Sequence, residues 1–210
     1  MSFEVFDYRK DIRNVLVTPQ IRSRFLRMEV GQFNESHTHD LGHEIFLILQ
    51  GTAEFEIDGH KEVVGPGQMC VALTDEAHTV RNVGEDEVIM YLSVTPHIHP
   101  THTYWTDNGT KRPPRFNKSG SFDVPADTSQ SASELADKQL AAMDRFADSV
   151  SAAIAVHRDR ISAFKKAECE SNRESAAAAR DAMWSALYPM FKEVYAVADA
   201  WNAFTARSAD

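Results

Sequence analysis

Three histidines and a glutamate lie within eight residues of this sequence, directly before a short apolar run. They are His37, His39, His43 and Glu44. Alternate side chains of an extended segment point to the same side, so we expect His37 and His39 to face one way. Converging imidazole and carboxylate groups are typical ligands of divalent first-row metals. The segment therefore indicates a metal site, with a polar, histidine-rich edge as the alternative.

A turn and a more distant histidine supply the rest of the expected ligand set. The turn at Asp40-Leu41-Gly42 lets the chain return, which brings the carboxylate of Glu44 back beside the two imidazoles. A fourth group comes from His78, in a separate segment. His43 competes with Glu44 for the carboxylate position, but neighbouring strand residues face opposite ways. We therefore expect His43 to point out of the pocket.

Short strands must position these groups in the first part of the chain, residues 1–105. Polar and apolar residues alternate over Glu54–Ile57, and Asp58-Gly59 then predicts a hairpin turn. Further apolar strands are predicted over Met69–Leu73 and Val88–Val94. Strands about ten residues apart, separated by Gly and Asp turns, favour an antiparallel sandwich or barrel.

The spacing of the candidate ligands resembles the cupin superfamily. Its first motif is a glycine, five residues, His-x-His, three or four residues, a glutamate, six residues and a glycine. This chain matches the motif at Gly31, His37, His39, Glu44 and Gly51. The agreement in spacing is complete.

The second motif of the family is matched only in part. The motif ends with a histidine and an asparagine separated by three residues, and His78 and Asn82 match this part. Thr74-Asp75-Glu76 replaces the Pro-x-Gly that the motif has just before the histidine, so we expect the turn into His78 to differ in shape. The two motifs cover about residues 25–95.

The resemblance implies a mainly β jelly-roll barrel with a metal ion in its mouth. The implied ligands are His37, His39, Glu44 and His78. Fe²⁺ is the favoured ion, and Mn²⁺, Ni²⁺, Zn²⁺ and Cu²⁺ stay open as alternatives. Three imidazoles and one carboxylate on an octahedral ion leave two positions for water, dioxygen or a substrate. The apolar walls of the interior are expected to come from Phe46, Ile48, Val71, Leu73 and Met90.

Several other reactive side chains lie outside these motifs. His97, His99 and His102 stand close together beside two prolines, and the sequence leaves open whether they are structural, contact a substrate or bind a separate metal. Cys70 alternates with apolar residues on a strand and is interpreted as a buried small hydrophobe. Three residues would be candidate general bases if they faced the cavity: Glu56, Glu62 and Tyr91.

The second half of the chain has a different periodicity. Residues 106–130 are rich in Gly, Pro, Ser, Asn and Asp and predict a long connecting loop. Residues 131–207 predict an all-α, two-helix antiparallel hairpin, with capping boxes opening at Ser131 and Ser171. Apolar residues recur every three or four positions in both helices. They are Leu140, Met143, Ala147, Val150, Ile154, His157, Ile161 and Phe164 in the first, and Trp184, Leu187, Phe191, Val194, Ala198 and Trp201 in the second.

We expect these two apolar rows to face each other, either within one chain or across a homodimer. His157 is interpreted as a packed histidine of the first row. The net charge of −9 argues against nucleic-acid binding, which requires clustered cations. The apolar run Ile45–Leu49 is too short to cross a membrane, which needs about 20 residues. Two distant cysteines, Cys70 and Cys169, favour a reduced, cytoplasmic environment.

The function expected from these features is that of a metal-dependent enzyme acting on a small oxygenated organic molecule. Dioxygenases, isomerases and lyases of the cupin type all fit the same ligands, and an oxygenase is favoured. The alternative is a non-catalytic module that binds a metal or small ligand and signals through its helices. A third interpretation is a scaffold whose helices drive assembly.

Overall fold

The computed structural model describes residues 3–209, which form eight β-strands followed by two long helices. The strands are β1 Asn14–Val17, β2 Arg22–Met28, β3 His43–Gln50, β4 Ala53–Ile57, β5 His60–Val64, β6 Met69–Ala72, β7 His78–Asn82 and β8 Val88–Thr95. The helices are α1 Ala132–Cys169 and α2 Arg173–Ala209, and one 3₁₀ turn, Ser119–Phe122, precedes them. Within residues 3–209, neither long helix is apolar enough over its length to cross a bilayer.

The strands form two antiparallel sheets that share one apolar core. One sheet has the order β1-β2-β8-β3-β6 and the other β5-β4-β7. Phe46 of the first sheet and Phe55 of the second pack with ring centroids 4.9 Å apart. Ile48 and Met90 are fully buried in the same core. This arrangement confirms the predicted jelly roll, followed by two helices.

The edge strand β6 faces opposite to the sequence-based expectation. Val71 and Leu73 were expected to line the interior, but they are 37% and 50% exposed. The register explains the difference, because Phe46 lies opposite Cys70 and paired residues share a face of the sheet. Since Phe46 points inward, Cys70 does too and Val71 must point outward. On an edge strand of mostly apolar residues, alternation gives no indication of which set is buried.

Two glycines near the first motif allow close approaches of the backbone. Gly51 has φ +76°, and a Cβ atom there would lie 2.5 Å from the carbonyl oxygen of Glu87. A Cβ atom on Gly42 would lie 2.2 Å from the carbonyl oxygen of Thr95. The turn that leads into Glu44 therefore packs against the end of β8 only because residue 42 has no side chain.

The turn before His78 keeps a left-handed residue although the Pro-x-Gly is missing. Asp75 has φ +66°, a conformation that aspartate tolerates better than most residues. Its backbone N–H donates to the carbonyl of His39, 3.2 Å away. The turn thus remains attached to the segment that carries the first two histidines.

The described residues form two compact units. One contains the residues up to Thr128 together with those from Thr205 onward, and the other is Ser129–Phe204. The predicted capping box at Ser131 is present, with Glu134 as its partner. The predicted box at Ser171 is wrong: Asn172 accepts from the N–H of Ser175 at 3.0 Å, because α2 begins one residue later.

The helices lie in one compact unit of the chain, but several large residues of the two predicted apolar rows are exposed, so those rows do not face each other along their whole length. Arg145 of α1 and Glu193 of α2 form an ion pair at 3.3 Å, as antiparallel helices allow. The buried hydrophobic residues of this unit are mostly alanines: Leu135, Ala142, Ala153, Ala167, Ala176, Ala179 and Ala198. Eight larger apolar residues are 39–63% exposed: Leu140, Met143, Ile154, Ile161, Trp184, Tyr188, Phe191 and Tyr195. His157 is half-buried, and its ring lies 2.9 Å from the carbonyl of Ala153.

Candidate metal centre

Three separate segments bring the four predicted ligands together. Glu44 is the second residue of β3, and His78 is the first residue of β7. His37 and His39 lie outside the regular strands, on a segment joined to its neighbours by isolated bridges. His37 and His78 exchange two backbone hydrogen bonds, of 2.9 and 3.2 Å. The alternation expected for a strand therefore holds locally, and both His37 and His39 face the interior.

The ligand atoms converge on one carboxylate oxygen. The Nε2 atoms of His39, His78 and His37 lie 2.9, 3.1 and 3.9 Å from Oε2 of Glu44. The four ligand atoms all lie within 4.8 Å of one another, and all four residues are buried. Adjacent ligands of a six-coordinate ion with bonds of about 2.1 Å are roughly 3 Å apart. The four residues are therefore spaced closely enough to hold a metal ion.

Backbone carbonyls fix the orientation of the three imidazoles. The Nδ1 atoms of His37, His39 and His78 contact the carbonyl oxygens of Glu35, Thr101 and Glu76 respectively. A carbonyl oxygen can only accept, so each Nδ1 carries a proton, and Nε2 is the ring atom that each imidazole directs at the centre. Nε2 of His37 is buried without a hydrogen-bond partner. This donor set fits a divalent transition metal.

The charges at the centre support each other. Burial by itself raises the pKa of Glu44, but contacts with the three imidazoles outweigh it and hold that pKa well below its usual value. Burial likewise lowers the pKa of His78, and the neighbouring carboxylate of Glu44 more than compensates, so the net direction is upward. Glu44 is therefore anionic at neutral pH.

The competing histidine does not belong to the centre. His43 is exposed, and its Nδ1 atom accepts a hydrogen bond from the backbone N–H of Thr74 at 3.0 Å. Its outward direction, which the alternation of β3 predicted, is confirmed. Glu44 occupies the inward position.

The three later histidines divide into two groups. His97 and His99 are buried beside Phe122, with ring centroids 5.0 and 4.8 Å from it. His102 instead lies against the centre, 4.7 Å from the ring of His37 and 4.9 Å from that of His39. The sequence left all three roles open, because the path of an irregular segment between prolines cannot be read from its composition.

None of the sequence-based base candidates lines the cavity beside the centre. Glu56 forms an ion pair with Lys61 at 3.3 Å, and Glu62 is exposed. Tyr91 lies on the outer face of its sheet, where its hydroxyl is 3.0 Å from that of Ser23. Cys70 is partly buried, as expected, and burial raises the pKa of its thiol to about 11. A protonated thiol is a poor nucleophile.

Two cavities adjoin the centre. The smaller has a volume of about 110 Å³, and its lining includes three of the four ligands together with Arg22 and Arg24. The larger, about 540 Å³, is lined by His39, Lys111 and Arg112 among others. His102 lines both. The two arginines were not predicted from the sequence, although their alternating positions in β2 were a usable signal.

The family comparison agrees with this architecture. A family model described as "Cupin domain" matches residues 24–95. Similar solved structures include an uncharacterized conserved protein with a double-stranded beta-helix domain from Klebsiella pneumoniae subsp. pneumoniae MGH 78578, with 22% identity, a TM-score of 0.43, and coverage of 45% of this chain and 91% of that chain. TT1209 from Thermus thermophilus has 17% identity and a TM-score of 0.43, and the match covers 45% of this chain and 98% of TT1209. KdgF from Halomonas sp. has 25% identity and a TM-score of 0.38, and the match covers 40% of this chain and 76% of KdgF. No curated protein matches the sequence.

Proposed function

The chain belongs to the cupin superfamily through the domain at residues 24–95, and from that premise we propose that it is a metal-dependent enzyme acting on a small oxygenated organic molecule. The observation that carries the proposal is the orientation of three imidazole Nε2 atoms toward the carboxylate of Glu44. A purely structural polar cluster does not need three Nδ1 atoms tied to backbone carbonyls. This arrangement is the one that ligand imidazoles require.

The proposed metal ligands are His37, His39, Glu44 and His78, and Fe²⁺ is the proposed ion. A bound divalent ion would supply Lewis-acid chemistry and, in the case of iron, redox chemistry. The residues of the chain hold the imidazoles in one tautomer, keep Glu44 anionic and surround the centre with apolar walls such as Phe46 and Leu92. Such walls limit the access of water and strengthen electrostatic contacts with a bound substrate.

Metal content tests the ligand assignment. We expect purified protein to hold about one divalent ion per chain, and the His37→Ala, His39→Ala double variant to lose it, because two of four ligands are gone. Elemental analysis of the dialysed proteins measures this. His43→Ala is the matched control and should keep the ion, because His43 is exposed and faces away from the centre. Equal metal content in the double variant and the wild-type protein would remove the site.

Oxygen consumption tests the favoured reaction class. Iron-loaded protein would be incubated with small diols, thiols and keto acids, and oxygen uptake above that of the double variant would support an oxygenase. Turnover of a substrate from this panel without oxygen uptake would favour an isomerase or lyase. Retained metal with no turnover of any compound would favour the alternative, a binding or sensor module.

We also propose that the chain forms a homodimer through the eight exposed apolar residues of α1 and α2, here called the hairpin face. They are Leu140, Met143, Ile154, Ile161, Trp184, Tyr188, Phe191 and Tyr195. With about half of each side chain exposed, the face offers roughly 600–800 Å² of side-chain area. Stable interfaces bury about 800 Å² per partner. A second copy of the chain supplies the same apolar row and is the proposed occupant.

Two further proposals concern the setting of the protein. We propose a cytoplasmic location, supported by the free state of Cys70 and Cys169. A small molecule, and not a nucleic acid, is the proposed ligand, in accord with the net charge of −9.

A further inference from the structure

Two arginines occupy positions on the inner face of the larger sheet where apolar residues are the rule. Arg22 of β2 lies opposite Val94 of β8, and Val94 lies opposite Glu44 of β3. In the next inward row, Arg24 lies opposite Leu92. Paired residues share a face, so both arginines point to the same side of the sheet as Glu44. Two strand spacings, about 10 Å, separate the backbone of β2 from that of β3.

The arginine side chains reach the cavity of the metal centre. Both line the 110 Å³ cavity together with His37, Glu44 and His78. Arg22 is only 4% exposed, and the Nε atoms of both arginines are buried without a hydrogen-bond partner. The guanidinium carbon of Arg22 lies 5.8 Å from the ring centroid of Phe122. An aromatic face attracts a cation but does not replace a hydrogen-bond acceptor for Nε.

The two cations that line the larger cavity differ from Arg22 and Arg24, because each already forms an ion pair with a carboxylate. Lys111 is paired with Asp40, and Arg112 with Glu35. Among residues 3–209, by contrast, no carboxylate forms an ion pair with Arg22 or Arg24. The small cavity therefore has unused positive charge next to the metal ligands.

Unpartnered buried charge is costly, and a protein retains it where a ligand supplies the missing partner. Burial lowers the pKa of Arg22, and the charge of Glu44 opposes that shift. Burial also lowers the pKa of Arg24, and the charges of Asp123 and then Glu44 oppose that shift from a distance, without forming an ion pair. Arginine nevertheless remains protonated in proteins. A divalent ion bound at the centre would add two positive charges, of which Glu44 neutralises one. The cavity would then be strongly cationic.

We propose that Arg22 and Arg24 bind the carboxylate of the substrate, so that the enzyme acts on a small carboxylic acid with a second oxygen donor for the metal. This inference rests on the proposed function and names its substrate class. The planar guanidinium group matches a carboxylate through paired N–H donors. A cavity of about 110 Å³ admits an acid of only a few heavy atoms.

Lactate and its neutral isostere lactamide test the inference by isothermal titration calorimetry on the metal-loaded protein. Both compounds offer a hydroxyl and a carbonyl oxygen, and only lactate carries a charge. We expect lactate to bind at least tenfold more tightly than lactamide. In Arg24→Gln this preference should fall to less than threefold, with metal content unchanged. Arg22→Lys should keep part of the preference, because it retains a charge but loses the paired donors.

Arg27→Gln is the matched control, since Arg27 lies on the same strand with its side chain exposed and near Glu87. Equal affinities for lactate and lactamide in the wild-type protein would overturn the inference, as would an unchanged preference in Arg24→Gln. If the proposed function is wrong, a different measurement shows it, because the purified protein then contains no bound metal. In that case, lactate binding by the metal-free protein that is lost in Arg24→Gln would still support the inference, and no lactate binding would overturn it.

Discussion

At the scale of single residues, buried imidazoles serve two different purposes in this molecule. Those of His37, His39 and His78 have Nδ1 tied to a carbonyl and Nε2 directed at Glu44. Those of His97 and His99 pack on Phe122, and their Nε2 atoms are 3.3 Å apart. Burial lowers the pKa of His97 to about 3 and that of His99 to about 4, and the charge of Arg22 adds to both shifts. Both rings are therefore neutral at physiological pH.

These two histidines make the stability depend on pH. Their folded-state pKa values lie below the ordinary value of about 6.5, so the unfolded chain binds more protons than the folded chain between pH 6.5 and about 4. The stability contribution is present above pH 6.5 and is lost as the pH falls. At pH 5 we expect a loss of about 2 kcal/mol per histidine.

Denaturant unfolding of the chelator-treated protein at pH 7 and pH 5 measures this loss. The His97→Gln, His99→Gln double variant should lose less stability between the two pH values than the wild-type protein. His60→Gln, at an exposed position of β5, should behave like the wild-type protein. Identical pH dependence in the double variant and the wild-type protein would contradict the prediction.

At the scale of elements, the positions of the candidate ligands depend on the turns that precede β3 and β7 as well as on the strands themselves. The turn at Gly42 brings Glu44 onto β3 beside His39, and the turn at Asp75 leads into His78. Asp75 also donates its backbone N–H to the carbonyl of His39. Two motifs that lie far apart in sequence are therefore joined by the backbone as well as by their ligands.

Substitution of Gly42 tests the role of the first turn. In Gly42→Ala, the new Cβ would meet the carbonyl oxygen of Thr95 at 2.2 Å, so the turn must move away from β8. We expect the free energy of unfolding to fall by about 1–3 kcal/mol. Metal affinity should fall at least tenfold because Glu44 shifts. Chemical denaturation and metal titration measure the two effects.

Gly120→Ala is the control for this substitution. A Cβ atom on Gly120 has no neighbour within 4 Å, and its φ is not positive. Both the stability and the metal affinity should therefore stay within about 0.5 kcal/mol of the wild-type values. Equal behaviour of the two variants would show that the close approach at Gly42 does not position the centre.

At the scale of the whole molecule, the two helices expose more apolar surface than monomeric proteins usually do. Residues of α1 and α2 such as Ile154, Trp184 and Phe191 are about half exposed. Exposed apolar area of this extent is typical of an interaction surface. The helical unit therefore carries the proposed dimer interface, and the β-sheet unit carries the proposed metal site.

A charge on the hairpin face should disrupt the proposed dimer. In Ile154→Asp, a carboxylate would be buried between two copies without a partner, which costs several kcal/mol. We expect sedimentation or light scattering to show a dimer for the wild-type protein and a monomer for the variant at micromolar concentration. Ala152→Asp, on another side of α1 at an exposed position, should remain dimeric. A monomeric wild-type protein would contradict the prediction.

The spacing of residues along the chain was enough to predict the candidate ligand set and the β-sheet and helical architecture. Fixed spacing at Gly31, His37, His39, Glu44 and Gly51 specifies a local turn and strand, whose geometry depends on few distant contacts. Alternation also excluded His43, because neighbouring residues of a strand face opposite ways. Two helices followed from periodicity and from the capping residues at Ser131.

The folded structure was needed to show which apolar or charged side chains lie in the same cavity or core. Val71 faces outward because Cys70 pairs with Phe46, and Arg22 faces the metal centre because Val94 lies between it and Glu44. The apolar rows of the helices identified a surface but not its partner. The physical reason is common to these cases: periodicity gives the relative direction of side chains along one element, whereas burial depends on which other element covers that direction.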